Sequence, residues 1–149
     1  MRFLLIAMVM VGVVGCAQPQ RPVNFTVPTK EDTLDRMARA LAAEGLETTT
    51  IDPQLHLLYT RWQDTGFMYG QVNNRTATVV RRYMVMVNPQ QDNQQVTVRM
   101  EAKRCTPGLL TWNDVDVRGQ CVVMDGLVPQ HQAELDQLGA RLAQAARAP

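Results

Sequence analysis

The sequence contains no serine. With no hydroxymethyl group to attack a carbonyl, every serine-nucleophile mechanism is excluded. It also lacks an excess of either charge: 15 Lys and Arg stand against 14 Asp and Glu. Global electrostatics therefore give no argument for nucleic acid as a partner. Histidine and cysteine are scarce, at two and three residues. His56, His131, Cys105 and Cys121 could be drawn as a zinc set, but structural zinc sites place their cysteines only a few residues apart. Asp114, Asp116 and Asp125 lack the acid density and the bidentate glutamate spacing of a calcium loop. No catalytic constellation, cofactor or metal site is expected, and the chain does not read as an enzyme.

What is present begins at the N-terminus. Arg2 precedes an almost wholly apolar stretch from Phe3 to Val14. A basic n-region followed by a short apolar h-region marks a secretory signal, and the stretch is too short to span a bilayer. Val13-Val14-Gly15-Cys16 resembles the lipobox of bacterial lipoproteins, an aliphatic and a small residue directly before cysteine. That resemblance implies that residues 1–15 are removed and that Cys16 is lipidated. Several acyl chains on one residue hold a protein stably on a membrane without spanning it. By resemblance to enterobacterial lipoprotein sorting, Ala17, standing where an aspartate would signal retention at the inner membrane, implies the outer membrane, facing the periplasm.

The remaining chain suits one domain. Ala17 to Pro28 carries three prolines and reads as an extended tether, residues 16–28, with Val23, Phe25 and Val27 alternating. Residues 29–149 read as a single α+β domain. Thr29 is placed to cap a helix over Thr29–Glu44, with Leu34, Met37, Ala38, Leu41 and Ala42 on one face. Gly45 is placed to end it in the left-handed conformation, with Leu46 touching Leu41.

Leu46–Ile51 and Leu55–Trp62 read as a hairpin around Asp52-Pro53-Gln54. Gln63 to Arg75, with Gly66, Gly70 and an Asn-Asn pair, reads as a loop. Thr76–Val87 and Gln95–Cys105 read as long strands. In the latter, Val96, Val98, Met100 and Ala102 face one way and the polar residues the other, so one sheet face is buried and one wet. Thr106 to Gly119, which includes Leu109, Leu110 and Trp112, reads as a loop before a last strand, Gln120–Met124. A final helix after Pro129 presents Leu135, Leu138, Leu142 and Ala145. Repeats and low-complexity stretches are absent.

An antiparallel sheet needs its apolar face covered, and two amphipathic helices are available. The expected fold is a single antiparallel sheet with N- and C-terminal helices on one face, a helix-grip-like arrangement. Cys105 and Cys121 are expected to form a disulfide in an oxidising compartment. Arg81, Arg82, Arg99, Lys103 and Arg104 could grip a phosphate or carboxylate, but an exposed, soluble sheet face explains them more simply. Met84, Met86, Thr97 and Arg99 are expected on the outer face as a candidate interaction surface. Either a partner or the Gln63–Arg75 loop would cover the two methionines.

The order of motifs resembles a known family. An alanine- and leucine-rich helix precedes Gly45-Leu46-Glu47-Thr48-Thr49-Thr50-Ile51-Asp52. Leu58-Tyr59-Thr60-Arg61-Trp62, Arg82-Tyr83-Met84-Val85-Met86-Val87, Gln95-Val96-Thr97-Val98-Arg99 and a closing helix follow. Thr29–Ala146 is thus similar to the helix-grip domain of the component C lipoprotein of the outer-membrane β-barrel assembly machinery. That family has two such domains and a long docking segment. This sequence has one domain and a short tether, and its cysteine pair departs from the pattern. The resemblance implies the fold, an outer-membrane location and an envelope protein partner. The alternative expectation is a helix-grip module binding a small apolar ligand or lipid.

Overall fold

The computed structural model of the chain describes residues 18–106 and 121–147. The expected signal peptide, Cys16 and most of the 106–119 loop, with Leu109, Leu110, Trp112, Asp114 and Asp116, lie outside the described residues. The fold is α+β. Strands β2 (Val23–Pro28), β3 (Thr48–Asp52), β4 (Leu57–Thr60), β5 (Gln63–Val72), β6 (Arg75–Pro89), β7 (Asn93–Cys105) and β8 (Cys121–Val123) form one antiparallel sheet. Its main path runs β2-β7-β6-β4-β3, with β5 also on β6 and β8 also on β7. A separate ribbon pairs β1 (Gln18–Pro19) with β9 (Gly126–Leu127). Helices α1 (Thr33–Ala43) and α2 (Pro129–Arg147) complete the described fold.

The two helices and one sheet face share a single core. Met37 and Leu41 of α1 and Leu135, Leu138, Leu142 and Ala146 of α2 are buried against Val79, Tyr83, Val85, Val96, Val98, Met100 and Ala102. The alternation expected along β7 is observed for Val96, Val98, Met100 and Ala102, all buried, but is broken at Thr97, which is buried as well. On α2 the buried alanine is Ala146, with Ala145 turned to solvent.

Helix α1 starts later than the position of Thr29 suggests. Its first backbone bond runs from the Arg36 N–H to the Asp32 carbonyl, 2.9 Å. The Thr33 hydroxyl is buried and donates back to the Lys30 carbonyl, 2.9 Å. The helix ends as its sequence requires. Gly45 has φ +74°, and the Leu46 N–H returns to the Leu41 carbonyl at 2.9 Å. The Gly45 N–H reaches the Ala42 carbonyl at 3.0 Å, closing the last turn around orphan carbonyls.

Two segments differ from the sequence reading. Residues 23–28, expected in a tether, are an edge strand of the sheet paired along β7 from Val98 to Asn93. Val27 is buried there, and Val23 and Phe25 pack against the core. Residues 63–75, expected as a loop, are strand β5 and its tight turn back into β6. Gly66 and Gly70 adopt φ +66° and +68° where the register slips. They are bulges within a strand, which glycine permits and a side chain resists. Asn73 and Asn74, at φ +51° and +60°, make the two-residue reversal, a conformation asparagine tolerates.

Leu57–Val72 therefore follows β6 almost continuously, and threonine hydroxyls fill the breaks. Thr60 Oγ1 accepts the Tyr83 N–H at 2.8 Å, and the Thr65 hydroxyl donates to the Val79 carbonyl at 2.7 Å.

Candidate functional site

Neither helix covers the second face of the sheet. Alternation along β6 sends Arg82, Met84 and Met86 to it, while Tyr83, Val85 and Val87 enter the core. Strand register then sets the rows. Tyr59 lies opposite Met84, which lies opposite Arg99. Leu57 lies opposite Met86, which lies opposite Thr97. Both methionines are half-buried, and Arg99 is exposed. Thr97 differs from expectation. It is 8% exposed, and its hydroxyl donates to the Asn24 carboxamide oxygen at 2.8 Å. Strand β2 lies beside it, so Thr97 supports this face and leaves its contacts to Met84, Met86 and Arg99.

Strand β5 does not lie over the methionines. It continues in the sheet beside Arg75–Arg81 of β6.

Cations on this face are held by aromatic rings. The Arg82 guanidinium sits 4.3 Å from the Tyr59 ring centre and 4.7 Å from that of Trp62. Arg82 also pairs with Glu101 at 2.7 Å. The Lys103 ammonium lies 4.9 Å from the Trp62 ring centre. Such contacts fix a guanidinium that would otherwise sample many rotamers. Trp62 is buried outside the main core, in a small cluster with Val80, Cys105 and Cys121 on the outer face. The alternation of β6 carried the signal for Arg82; the aromatic partners needed the β4–β6 register, which the sequence alone does not supply.

The five expected cations are divided by the sheet. Arg82, Arg99 and Lys103 face outward, whereas Arg81 and Arg104 fall in the opposite phase. Arg81 pairs with Glu134 of α2 and lies 5.7 Å from the Tyr83 ring centre. The five side chains thus do not converge on one anion.

The residues of the zinc set are dispersed. Cys105 and Cys121 form a disulfide across paired strands β7 and β8, with Cα atoms 4.1 Å apart. His56 is exposed on the β3–β4 turn, and His131 is buried in the first turn of α2. The His131 ring packs edge-on against Phe67, with centres 5.5 Å apart. Among the described residues neither of its ring nitrogens has a hydrogen-bond partner. Burial, and secondarily the Arg81 charge, hold its pKa below the ordinary histidine value. Burial likewise raises the Tyr83 phenol, against the opposing effects of Arg81 and Arg141. No group of three or more potential metal ligands is present among the described residues.

The half-buried Met84 and Met86, the exposed Arg99 and the ring-stacked Arg82 thus share one face of the sheet. No protein-family model matches the chain, and no curated protein matches it. Its structure is similar to the crystal structure of a DUF4468 family protein from Bacteroides ovatus. The TM-score is 0.40 at 10% identity, over 87% of this chain and 86% of that one. Among the described residues, no helix is long and apolar enough to cross a membrane.

Proposed function

We propose that this protein is a lipid-anchored component of the bacterial outer envelope that acts as a scaffold or accessory module, binding a protein partner through the helix-free face of its sheet. One observation carries the reading: Tyr59, Met84 and Arg99 form a cross-strand row, with Met86 and Leu57 beside it, on the sheet face that neither helix covers. Methionine adapts its shape to a partner, and tyrosine and arginine are enriched among the residues that anchor protein interfaces. The lipid on Cys16 would hold the module at the outer membrane, facing the periplasm. Outer-membrane protein assembly is the process that the resemblance suggests for the partner.

A small apolar ligand between sheet and helices is disfavoured, because large side chains fill that space. Met37, Leu41, Met100, Leu135 and Leu138 are each at most 2% exposed. The test is photo-crosslinking in intact cells, with a photoreactive residue replacing Arg99. A discrete protein adduct that weakens when Met84 and Met86 are both changed supports the proposal. Absence of a protein adduct, or adducts with lipid or small molecules alone, overturns the proposal that this face binds a protein.

A further inference from the structure

The described chain is held to the fold from its first residues. Gln18 and Pro19 pair with Leu127 and Gly126. A Cβ on Gly126 would lie 2.7 Å from the Gln18 carbonyl carbon, so this approach depends on glycine. The Gln20 amide donates to the Met100 carbonyl. The Arg21 N–H donates to the Gln132 side chain at 3.0 Å, and the Gln132 amide donates back to the Arg21 carbonyl at 2.9 Å.

Cys16 precedes Gln18 by two residues, and two residues span at most about 7 Å. A lipid on Cys16 would therefore keep Gln18 within about that distance of its attachment point at the membrane. The surface around Gln18 is then the part of the domain nearest the bilayer. That surface contains a groove of about 370 Å³ whose lining includes Gln18, Pro19, Tyr69, Arg104, Val123 and Asp125. Val122 and Val123 of β8 are 43% and 64% exposed. Met68, at 51%, lies on the same sheet end, because it pairs with Thr78, Thr78 with Cys105 and Cys105 with Cys121.

We propose that this end of the sheet, the β8 edge with Val122 and Val123 together with the Arg104 groove, is a bilayer-contacting surface. It would fix the domain upright on the leaflet that holds the Cys16 lipid. The inference rests on the proposed lipidation of Cys16. Exposed aliphatic side chains beside an anchor add buried apolar area to the anchor's own, and the Arg104 stem can lie among apolar groups while its head meets phosphate. Asp125 lines the same groove, so the fit comes from apolar contact and the short link, not from net charge. The opposite end of the sheet would stand clear. Strand β7 runs from Cys105 at the anchored end to Asn93 at the other, a length of about 40 Å for a strand of this size. Leu55, 69% exposed, marks that far end, where its neighbour His56 accepts the Val87 N–H at 2.8 Å.

The test uses the full chain made in bacteria and purified with its own anchor. The mass of the N-terminal peptide reports whether Cys16 carries lipid. An environment-sensitive fluorophore is attached to Val123→Cys, Val122→Cys or Leu55→Cys, each made separately, with the native disulfide oxidised. Each protein is reconstituted in phosphatidylethanolamine–phosphatidylglycerol vesicles containing a lipid with a nitroxide near its headgroup. Quenching several-fold stronger at positions 123 and 122 than at 55 is the expected result. Equal, weak quenching at all three positions on lipid-bearing, vesicle-bound protein overturns the orientation. A Cys16 without lipid overturns the inference too, and the mass measurement identifies that as failure of the anchor itself.

Discussion

Gly139 of α2 and Val23 of β2 touch so closely that a Cβ on the glycine would lie 2.8 Å from the valine's Cβ. The contact joins the last helix to the first strand of the sheet, and it makes residues 23–28 part of the domain. Substituting Gly139→Ala adds helix propensity of about 1 kcal/mol, but overpacking of this kind typically costs about 1–3 kcal/mol. A branched side chain attached at the point of contact cannot swing aside. We expect Gly139→Ala to lower the thermal midpoint, and Val23→Ala with Gly139→Ala to recover part of the loss. Additive effects in thermal denaturation would contradict the contact.

The disulfide should contribute to stability through the chain it closes. Cys105 and Cys121 are separated by 16 positions, and a loop of that length is worth about 3 kcal/mol in the chain-entropy model. Exported, folded protein should show no thiol reactive to a label without reductant. Reduction, or Cys105→Ala with Cys121→Ala, should shift the urea midpoint downward. Native protein that labels at both cysteines would refute the bond.

His131 gives stability a pH dependence of known sign. Burial disfavours its charged form in the folded state, whereas the unfolded chain titrates near the ordinary value of about 6.5. Above that value both states are neutral and the fold is unaffected. As pH falls below it, the unfolded state binds the proton first and stability is lost, until the depressed folded pKa is passed. Protonation would also place a second cation beside Arg81. The thermal midpoint should therefore fall between pH 7 and pH 5, and His131→Leu should flatten that slope. An unchanged slope in the variant would assign the dependence to other groups.

The anchor prediction concerns Cys16. Wild-type protein should incorporate labelled fatty acid and sediment with membranes. Cys16→Ala should incorporate none, and should either keep its signal peptide or leave the membrane fraction. Wild-type protein without labelled fatty acid would refute the lipoprotein reading.

Much of the fold was legible where one physical pattern acted alone. The alternation of Val96, Val98, Met100 and Ala102 marked the buried side of β7, because the other side is wet. Gly45 marked the end of α1, because only the left-handed conformation closes that turn. The failures come where two patterns compete. Gly66, Gly70 and the Asn73–Asn74 pair resemble a loop, yet their positive φ angles serve bulges and a two-residue turn within paired strands.

Pro19, Pro22 and Pro28 made residues 17–28 resemble a tether, but Pro19 pairs with Gly126 in the short ribbon, Pro28 ends an edge strand and Pro22 precedes it. Missing β2 also hid the burial of Thr97, whose cover is the Asn24 side chain. At α1, Thr29 favours a helix start by residue type, but the helix begins at Thr33, whose buried hydroxyl bonds back to the Lys30 carbonyl. For the candidate surface, alternation placed Met84 and Met86 correctly relative to the core. Tyr59 and Trp62 entered only through strand register, a long-range property.

The central claim is that the helix-free sheet face binds a protein partner, and Met84 and Met86 test it most directly. Replacing both with Thr keeps strand propensity and removes apolar area from the face. The methionines are half-buried and belong to neither of the hydrophobic clusters that hold the fold, so folding loses little. The account predicts that Met84→Thr with Met86→Thr abolishes or strongly weakens the Arg99-position crosslink to a protein partner. The thermal midpoint should move by less than about 3 °C, the shift expected for under 1 kcal/mol in a domain of this size. A large fall in the midpoint with the crosslink intact would contradict it, and would make the two residues part of the structural core instead.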